Sequence, residues 1–459
     1  MGNYNRSLFI FRRDLRFDDN TGLDSALQQS TYVIPCFIFD PRLIENKTNF
    51  NSNAYQFLIE SLEDLKAQLD EEGAKLYFFY GTAEKIVENL TSKKLVDAVF
   101  VNRDYTPFSK KRDDAIQKIC EKYEVDFISY DDLTLHNPDD IKTQKGTPYT
   151  VFTPFFKKAS RFEVDTPETL TRKNFYTDEI EDELKGLNYS LSYDKNESIH
   201  VKCGRLNAIQ ILDSLEKFRS YEYERDCPYM DATTGLSAHN KFGTVSIREF
   251  YYSVIDKLDK SHPLVAQLYW RDFYTYLAHH FPYMFKQSFK KKFDAIEWEN
   301  DPDKFNRWCE GKTGFPIVDA GMRELNHTGY MHNRVRMIVA SFLVKDLHID
   351  WRWGERYFAR KLVDYDKSVN NGNWQWSASS GPDAQPFFRI FNPWSQQKKF
   401  DPECIYIKKW VEELEDEPCK VIHNLENRST SIPNYPEPMI DHKSERGRAL
   451  DMYRSVNQN

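Results

Sequence analysis

The feature that most restricts the fold is a change of hydrophobic rhythm along the chain. Over residues 1–130, short runs rich in Phe, Tyr, Val and Ile alternate with helical patterns. Ser7 to Phe11, Tyr32 to Phe39, Lys75 to Tyr80, Asp97 to Asn102 and Val125 to Tyr130 predict strands. Between them, Ala54, Leu58, Leu62, Leu65 and Leu69 recur at helical spacing, and Gly73 stands where that helix should end. Thr106-Pro107 announces a second helix, with Ala115, Ile119 and Tyr123 on its expected apolar face. Strands alternating with helices predict an α/β domain built on a doubly wound, Rossmann-like parallel sheet. No G-x-G-x-x-G follows the first strand, so the usual dinucleotide fingerprint is missing there.

The rhythm then fades. Residues 131–201 hold Pro138, Pro148, Pro154 and Pro167 and the acidic run Asp178 to Glu183. They read as an interdomain connection draped over the surface, with the acidic run a solvated face. Residues 202–415 lack strand alternation and carry long helical patterns dense in aromatics, for example Ile247 to Leu258, Val265 to His280 and Gly321 to Leu347. They predict an all-α C-terminal domain. Residues 416–459 turn polar, with Pro433, Pro436 and Pro438, and predict a fraying tail.

Composition removes several classes. No apolar run approaches the roughly 18 residues of a bilayer span, and Met1 to Arg6 lacks the architecture of a signal peptide. The 7 cysteines (Cys36, Cys120, Cys203, Cys227, Cys309, Cys404, Cys419) are scattered and never form C-x-x-C. They predict reduced thiols in an intracellular protein and no zinc site. With 63 Lys+Arg against 71 Asp+Glu, the net charge of −8 argues against an extended nucleic-acid footprint. Aromatic residues make up 15%, and that excess needs an explanation.

Common catalytic templates fail. Gly311-Lys312-Thr313 resembles the end of a phosphate loop, but Asn306 occupies the position of the required first glycine. Gly235-Leu236-Ser237-Ala238-His239 is one residue short of a nucleophile elbow and follows no strand. His279-His280 and the pair His327 and His332 lack the i, i+4 spacing of a helical zinc site, so packing or capping roles are expected for them.

A different constellation remains in the helical half. Trp270, Trp298, Trp308, Trp351, Trp353, Trp374, Trp376 and Trp394 are interleaved with Tyr330-Met331-His332-Asn333-Arg334-Val335-Arg336-Met337, Asp364-Tyr365-Asp366 and Asn370-Asn371-Gly372-Asn373. A single Trp is ordinarily core filler. Several close-packed indoles also suit one-electron relay. Arginines, aspartates and asparagines in apolar surroundings must pair with each other or with a buried polar ligand.

These segments resemble the photolyase/cryptochrome family. Phe11 to Asn20 is similar to its N-terminal signature. Trp270 to Tyr274, Gly311 to Ala320, Met331 to Met337, Asn370 to Trp376 and Phe388 to Pro393 are similar to its helical-domain blocks. The resemblance runs in order from Leu8 to about Leu414 and is closest to the class I cyclobutane pyrimidine dimer (CPD) branch. It implies a helical domain that binds FAD, and an α/β domain able to hold an antenna of deazaflavin or folate type, near Asn102 to Phe108.

Position by position, the resemblance implies FAD contacts for Tyr221, Thr233, Thr234, Gly235, Leu236, Ser237, Arg271, Arg336, Asp364 and Asp366. Asn370 matches the residue facing flavin N5. Trp374, Trp351 and Trp298 match the electron-transfer triad, from flavin to surface, that photoreduces the oxidised cofactor. Repair in the family is light-driven: excited FADH⁻ lends one electron to a dimer extruded from the DNA stack. Lesion contacts are then expected from Gln267, Trp270, Asn333, Met337 and Trp376, and phosphate contacts from Arg225, Arg334 and Arg389. UV-damaged DNA is the expected partner, the chain a monomer without metal.

His332-Asn333-Arg334-x-Arg336-Met337 resembles the CPD branch, whereas 6-4 photolyases and animal cryptochromes carry another pattern there. Asn370 stands where plant cryptochromes have aspartate. Gln267 departs from the glutamate of CPD enzymes; it still donates through its NH₂ but cannot hand over a proton. That departure keeps 6-4 repair and a cryptochrome photoreceptor as alternatives. A flavoprotein oxidoreductase is disfavoured by the missing dinucleotide fingerprint.

Overall fold

The computed structural model describes residues 3–45, 50–184, 193–427 and 431–456. Every expected strand is present: β1 (Tyr4–Phe11), β2 (Ser30–Phe39), β3 (Tyr77–Tyr80), β4 (Ala98–Asn102) and β5 (Asp126–Tyr130). They form one parallel sheet in the order β3-β2-β1-β4-β5. Leu8 of β1 pairs with Ile34 on one side and Val99 on the other. The chain winds outward through β2 and β3 and then through β4 and β5, so its switch point lies between β1 and β4. Leu8, Ile34 and Val99 are fully buried, as a sheet covered on both faces requires.

Packing divides the chain into two compact units, each drawn from several stretches of sequence. Met1–Lys195, Val201–Lys217 and Thr234–Pro282 make the sheet-bearing unit. Asn196–His200, Phe218–Thr233 and Tyr283–Asn459 make a helical unit. The core of the latter joins Trp308, Val339, Leu343, Trp351, Phe358 and Trp374. At roughly 1.5–3 kcal/mol per buried large apolar side chain, such a core dominates the stability of its unit.

Four local expectations need correction. The helix Pro107–Lys122 has its Thr106 cap and Pro at the first turn, but its buried seam runs through Ser109, Ile116 and Cys120. Ala115, Ile119 and Tyr123 sit one position round the helix and are half-buried, because neighbouring stripes fit the same spacing. The segment expected to drape over the surface contains the helix Phe152–Ala159 and inserts Phe155, Phe175 and Ile180 into the interior. Its Asp132 meets Arg16 (2.6 Å) and Arg248 (2.7 Å). Burial opposes that charge, but the two guanidinium groups hold the carboxyl well below the usual range. The acidic run is solvated only in part: exposed Glu181 and Asp182 meet Lys93, whereas the Glu183 side chain is buried against Lys75 (2.6 Å).

The other two corrections concern the helical half. Gly321 to Leu347 is two helices, Pro316–Thr328 and Asn333–Lys345. Gly329 ends the first at φ +69°, a conformation glycine adopts without a Cβ penalty. His332 caps the second, its Nδ1 accepting from Arg334 N at 3.2 Å. The polar end does not fray over His442–Ser455, which is a helix. Its Tyr453 is fully buried and donates to Ala378 O at 2.7 Å.

Candidate functional site

In the helical unit the break at Gly329 sets the site. Val363 N donates to Gly329 O (2.8 Å), which brings the Asp364 segment beside the start of Asn333–Lys345. One turn into that helix, Arg336 grips Asp364 through Nη2–Oδ2 (3.0 Å) and Nη1–Oδ1 (3.3 Å), while its Nε donates to Met331 O (2.7 Å). The two-point fork fixes the guanidinium plane. Asp366 caps the next helix, Lys367–Ser377, accepting from Ser368 N (2.9 Å) and Val369 N (3.1 Å). These expected cofactor residues are thus brought together as a framework.

Asn370 lies one turn beyond that cap. Its Nδ2 donates to Glu355 Oε1 (3.1 Å) and Glu355 O (3.3 Å). Tyr365 OH donates to the same Oε1 at 3.2 Å. Burial raises the Glu355 carboxyl pKa, opposed by these two hydrogen bonds. Commitment of the NH₂ leaves the Asn370 amide oxygen as the acceptor end of the side chain.

Trp374 follows at the next turn, buried against Phe358 (5.0 Å, edge-on) and Trp308 (6.3 Å). Gly354 gives its ring room, since a Cβ there would lie 2.1 Å from Trp374 Cη2. Trp351 is buried at the start of the same helix as Gly354 and Glu355. Trp298 is half-buried and meets Tyr453 edge-on at 6.3 Å. Trp374 and Trp351 are equally buried, whereas Trp298 is partly exposed.

The same unit holds most of the expected DNA contacts. Asn333 is exposed, its Nδ2 3.9 Å from Met337 Sδ one turn on. Arg334 pairs with Asp226 (2.6 Å) and lies over the Phe400 ring at 4.4 Å. It is paired within the protein, not isolated. Arg225 lies over the buried Tyr221 ring at 5.7 Å. Trp376 is half-buried and Arg389 exposed. Tyr330 stacks on His200 (4.0 Å), and Thr233 hydrogen-bonds its hydroxyl; burial pushes the Tyr330 pKa up to about 12.

In the sheet-bearing unit, Thr234 Oγ1 accepts from Leu236 N (3.4 Å), and Gly235 turns the chain at φ +66°. The helix Ser237–Phe242 starts without a side-chain cap. Gln267, Trp270 and Arg271 share the half-exposed face of Pro263–His280. Trp270 stacks on Phe152 at 3.7 Å and 9°, so Phe152 supports its ring. Arg271 Nη1 and Nη2 donate to Leu133 O (2.7 Å) and Asn240 O (3.2 Å), anchoring it within this unit. His279 lies between Lys110 Nζ (3.1 Å) and Asp139 (3.2 Å), and His280 donates to Pro138 O (3.1 Å).

A polar cavity opens where β1 and β4 end, lined by Arg12, Arg13, Asn102, Arg103, Asp104 and Arg271 among others. Asn102 to Asp104 is part of the segment expected to meet an antenna. The sequence reasoning missed Glu355, Asp226, Phe152 and the 60% exposed Phe388. Only Phe388 had a local signal, a second aromatic beside Arg389 in a proline-bounded loop.

Known proteins resemble the chain over nearly its whole length. Residues 264–455 match the FAD binding domain of DNA photolyase, and residues 7–171 match DNA photolyase. Proteins named deoxyribodipyrimidine photo-lyase from Alkalihalophilus pseudofirmus and Escherichia coli are each 35% identical to the chain. The first match covers 97% of both chains and the second 98% of both. Among solved structures, an archaeal photolyase from Sulfolobus tokodaii with two FAD molecules is 44% identical. It superposes with a TM-score of 0.90 over 98% of this chain and 100% of that one. A class III photolyase from Agrobacterium tumefaciens is 34% identical, with a TM-score of 0.91 over 99% of this chain and 98% of its own. The chain therefore belongs to the DNA photolyase family.

Proposed function

We propose that this protein is a light-driven CPD photolyase that binds UV-damaged DNA and splits an extruded pyrimidine dimer. The observation that carries the reading is the first turn of Asn333–Lys345. It turns Asn333 outward beside Met337, while Arg336 grips Asp364 on the cofactor side. One rigid turn of helix thus carries both the lesion-facing and the cofactor-facing residues. FAD, when bound and reduced, supplies the light-excited electron. Tyr221, Thr233, Arg336, Asp364 and Asp366 of the helical unit would hold it, with Asn370 accepting at the ring, and Thr234 to Ser237 of the sheet-bearing unit would offer donors to a phosphate. Trp374, Trp351 and Trp298 carry reducing electrons inward.

No acid–base pair tuned to pH 7 is needed, because the chain moves electrons and orients groups. Gln267 donates to a base carbonyl through its NH₂ and transfers no proton. Trp270, Trp376 and Phe388 offer rings to splayed bases, and Arg225, Arg334 and Arg389 meet phosphates. Arg334 exchanges Asp226 for phosphate on binding. Arg271 supports this face by holding the Leu133 and Asn240 carbonyls.

The cavity between β1 and β4 is the seat we assign to an antenna. Its arginines suit a phosphate-bearing pigment, as in the Sulfolobus tokodaii protein with its two FAD molecules. Extraction and chromatography of bound chromophores test this: two FAD per chain, or one FAD and a deazaflavin, supports it, and FAD alone at one per chain refutes it. The function itself is tested by photorepair of defined CPD and 6-4 oligonucleotides.

A further inference from the structure

We propose that Lys345 is a positioning residue for lesion binding: it clamps, from inside the core, the loop that presents Phe388 and Arg389. The inference rests on the proposed function, in which that loop meets DNA. Lys345 is the last residue of Asn333–Lys345 and is fully buried. Its Nζ donates to Ser379 Oγ (2.8 Å), Phe387 O (3.3 Å) and Arg389 O (3.5 Å). The Tyr453 ring lies 5.5 Å from the ammonium. The two carbonyls come just before and just after the pair Phe388-Arg389, so one ammonium holds both ends of the dipeptide that faces solvent.

The loop needs such a donor. Residues 378–392 contain neither helix nor strand, and Ser379 and Asp383 take φ of +61° and +45°. Its carbonyls have no ladder partners; backbone N–H groups meet Ser380 O and Pro386 O, whereas Phe387 O and Arg389 O are met by side chains. Gln385 Nε2 covers Arg389 O from one side (2.9 Å), and Lys345 reaches the loop from beneath. A buried ammonium is an expensive way to fill a core. Burial pulls its pKa down to about 7, with nearby Asp346 opposing. A methionine of similar length would pack there at less cost. What the lysine adds is a fixed geometry for the exposed dipeptide. The helix then serves lesion binding at both ends, through Asn333 and Met337 at its start and through Lys345 at its finish.

The test uses the full-length flavoprotein carrying Lys345→Met, with Gln385→Ala as a second variant that leaves Lys345 and its helix in place. Hydrogen exchange without DNA reads the clamp, and titration with CPD and undamaged oligonucleotides reads its consequence. In Lys345→Met, exchange over 383–390 is expected to rise about tenfold and CPD affinity to fall about tenfold, the effect of removing one buried donor. Flavin content, photoreduction rate and turnover at saturating DNA stay unchanged. Gln385→Ala moves both readouts in the same direction by less. Unchanged exchange overturns the clamp. Faster exchange with unchanged CPD affinity overturns its role in binding. If Arg389→Ala also leaves CPD affinity unchanged, the failure lies in assigning this loop to DNA. Loss of flavin or photoreduction in step with affinity overturns the inference in favour of general support of the core.

Discussion

Glu355 holds Asn370 by two hydrogen bonds, from Nδ2 to its side-chain Oε1 (3.1 Å) and to its backbone carbonyl (3.3 Å). The pair decides which end of the amide faces outward. An Asn side chain can present either a donor or an acceptor, and Glu355 takes the donor. The oxygen is then the end left to accept, as the proposed role at flavin N5 requires.

This relationship predicts different results for two substitutions. Glu355→Gln retains an oxygen that accepts from Asn370 and should leave repair nearly unchanged. Glu355→Leu removes the side-chain acceptor and leaves only the backbone carbonyl, at a cost of about 1 kcal/mol for the lost hydrogen bond, and loosens the amide enough to flip. The reduced flavin of Glu355→Leu should reoxidise several-fold faster in air, and its repair yield should fall. Absorbance decay after photoreduction, measured for both variants, checks the contrast.

The buried tryptophans predict a separation of photoreduction from repair. Trp374→Phe should abolish photoreduction and spare repair by chemically reduced protein; equal loss of both would refute its role. Gly354→Ala should act on the same ring indirectly, because its Cβ would collide with Trp374 Cη2 and with Leu343 Cδ2 at 2.6 Å. Overpacking of this kind costs about 1–3 kcal/mol. Slower photoreduction together with a lower urea midpoint would confirm the contact.

Asp272 predicts a pH signature. It is fully buried, and burial pushes its pKa from 3.8 up to about 6, although Arg271 pulls the other way. With the folded value raised, the folded chain keeps a proton that the unfolded chain loses. The stabilisation is complete below pH 3.8 and is lost as pH rises to about 6, amounting to about 3 kcal/mol. Asp272→Asn should therefore gain on the parent by that order between pH 4 and pH 7, and no further above it. Urea unfolding of both proteins across that range provides the measurement.

The charge distribution predicts a shallow salt dependence. Net charge is −8, and the expected phosphate contacts are Arg225, Arg334 and Arg389, to which the exposed Lys398 and Lys399 add a local basic rim. Arg334 must also give up Asp226. About four released counterions give a slope of log K against log salt near −3 to −4. Titrations at several salt concentrations would contradict this with a slope steeper than about −6.

Local signals made the sheet readable. β-branched and aromatic runs, Asn and Thr caps and Gly73 each act within a few residues of themselves, and the strands lie where they place them. The break at Gly329 was hidden because the apolar spacing carries across it, although the glycine and the capping His332 are both visible. The pairs that shape the site were not readable locally. Glu355 lies 15 residues from Asn370, and Asp226 lies 108 residues from Arg334. Lys345 reads as an ordinary helix-ending lysine until the fold closes over it. The contacts of Arg271 with Leu133 O, Asn240 O and the Asp272 carboxylate were equally invisible in the sequence, apart from the neighbouring Asp272.

The central claim is light-driven repair of the cyclobutane dimer. Its most direct test gives fully reduced protein an oligonucleotide with one defined CPD and follows return of thymine absorbance under near-UV or blue light. A dark control and a 6-4 oligonucleotide run in parallel. The account predicts repair of the CPD only in the light and none of the 6-4 product. Failure of reduced protein to repair the CPD under illumination would contradict it.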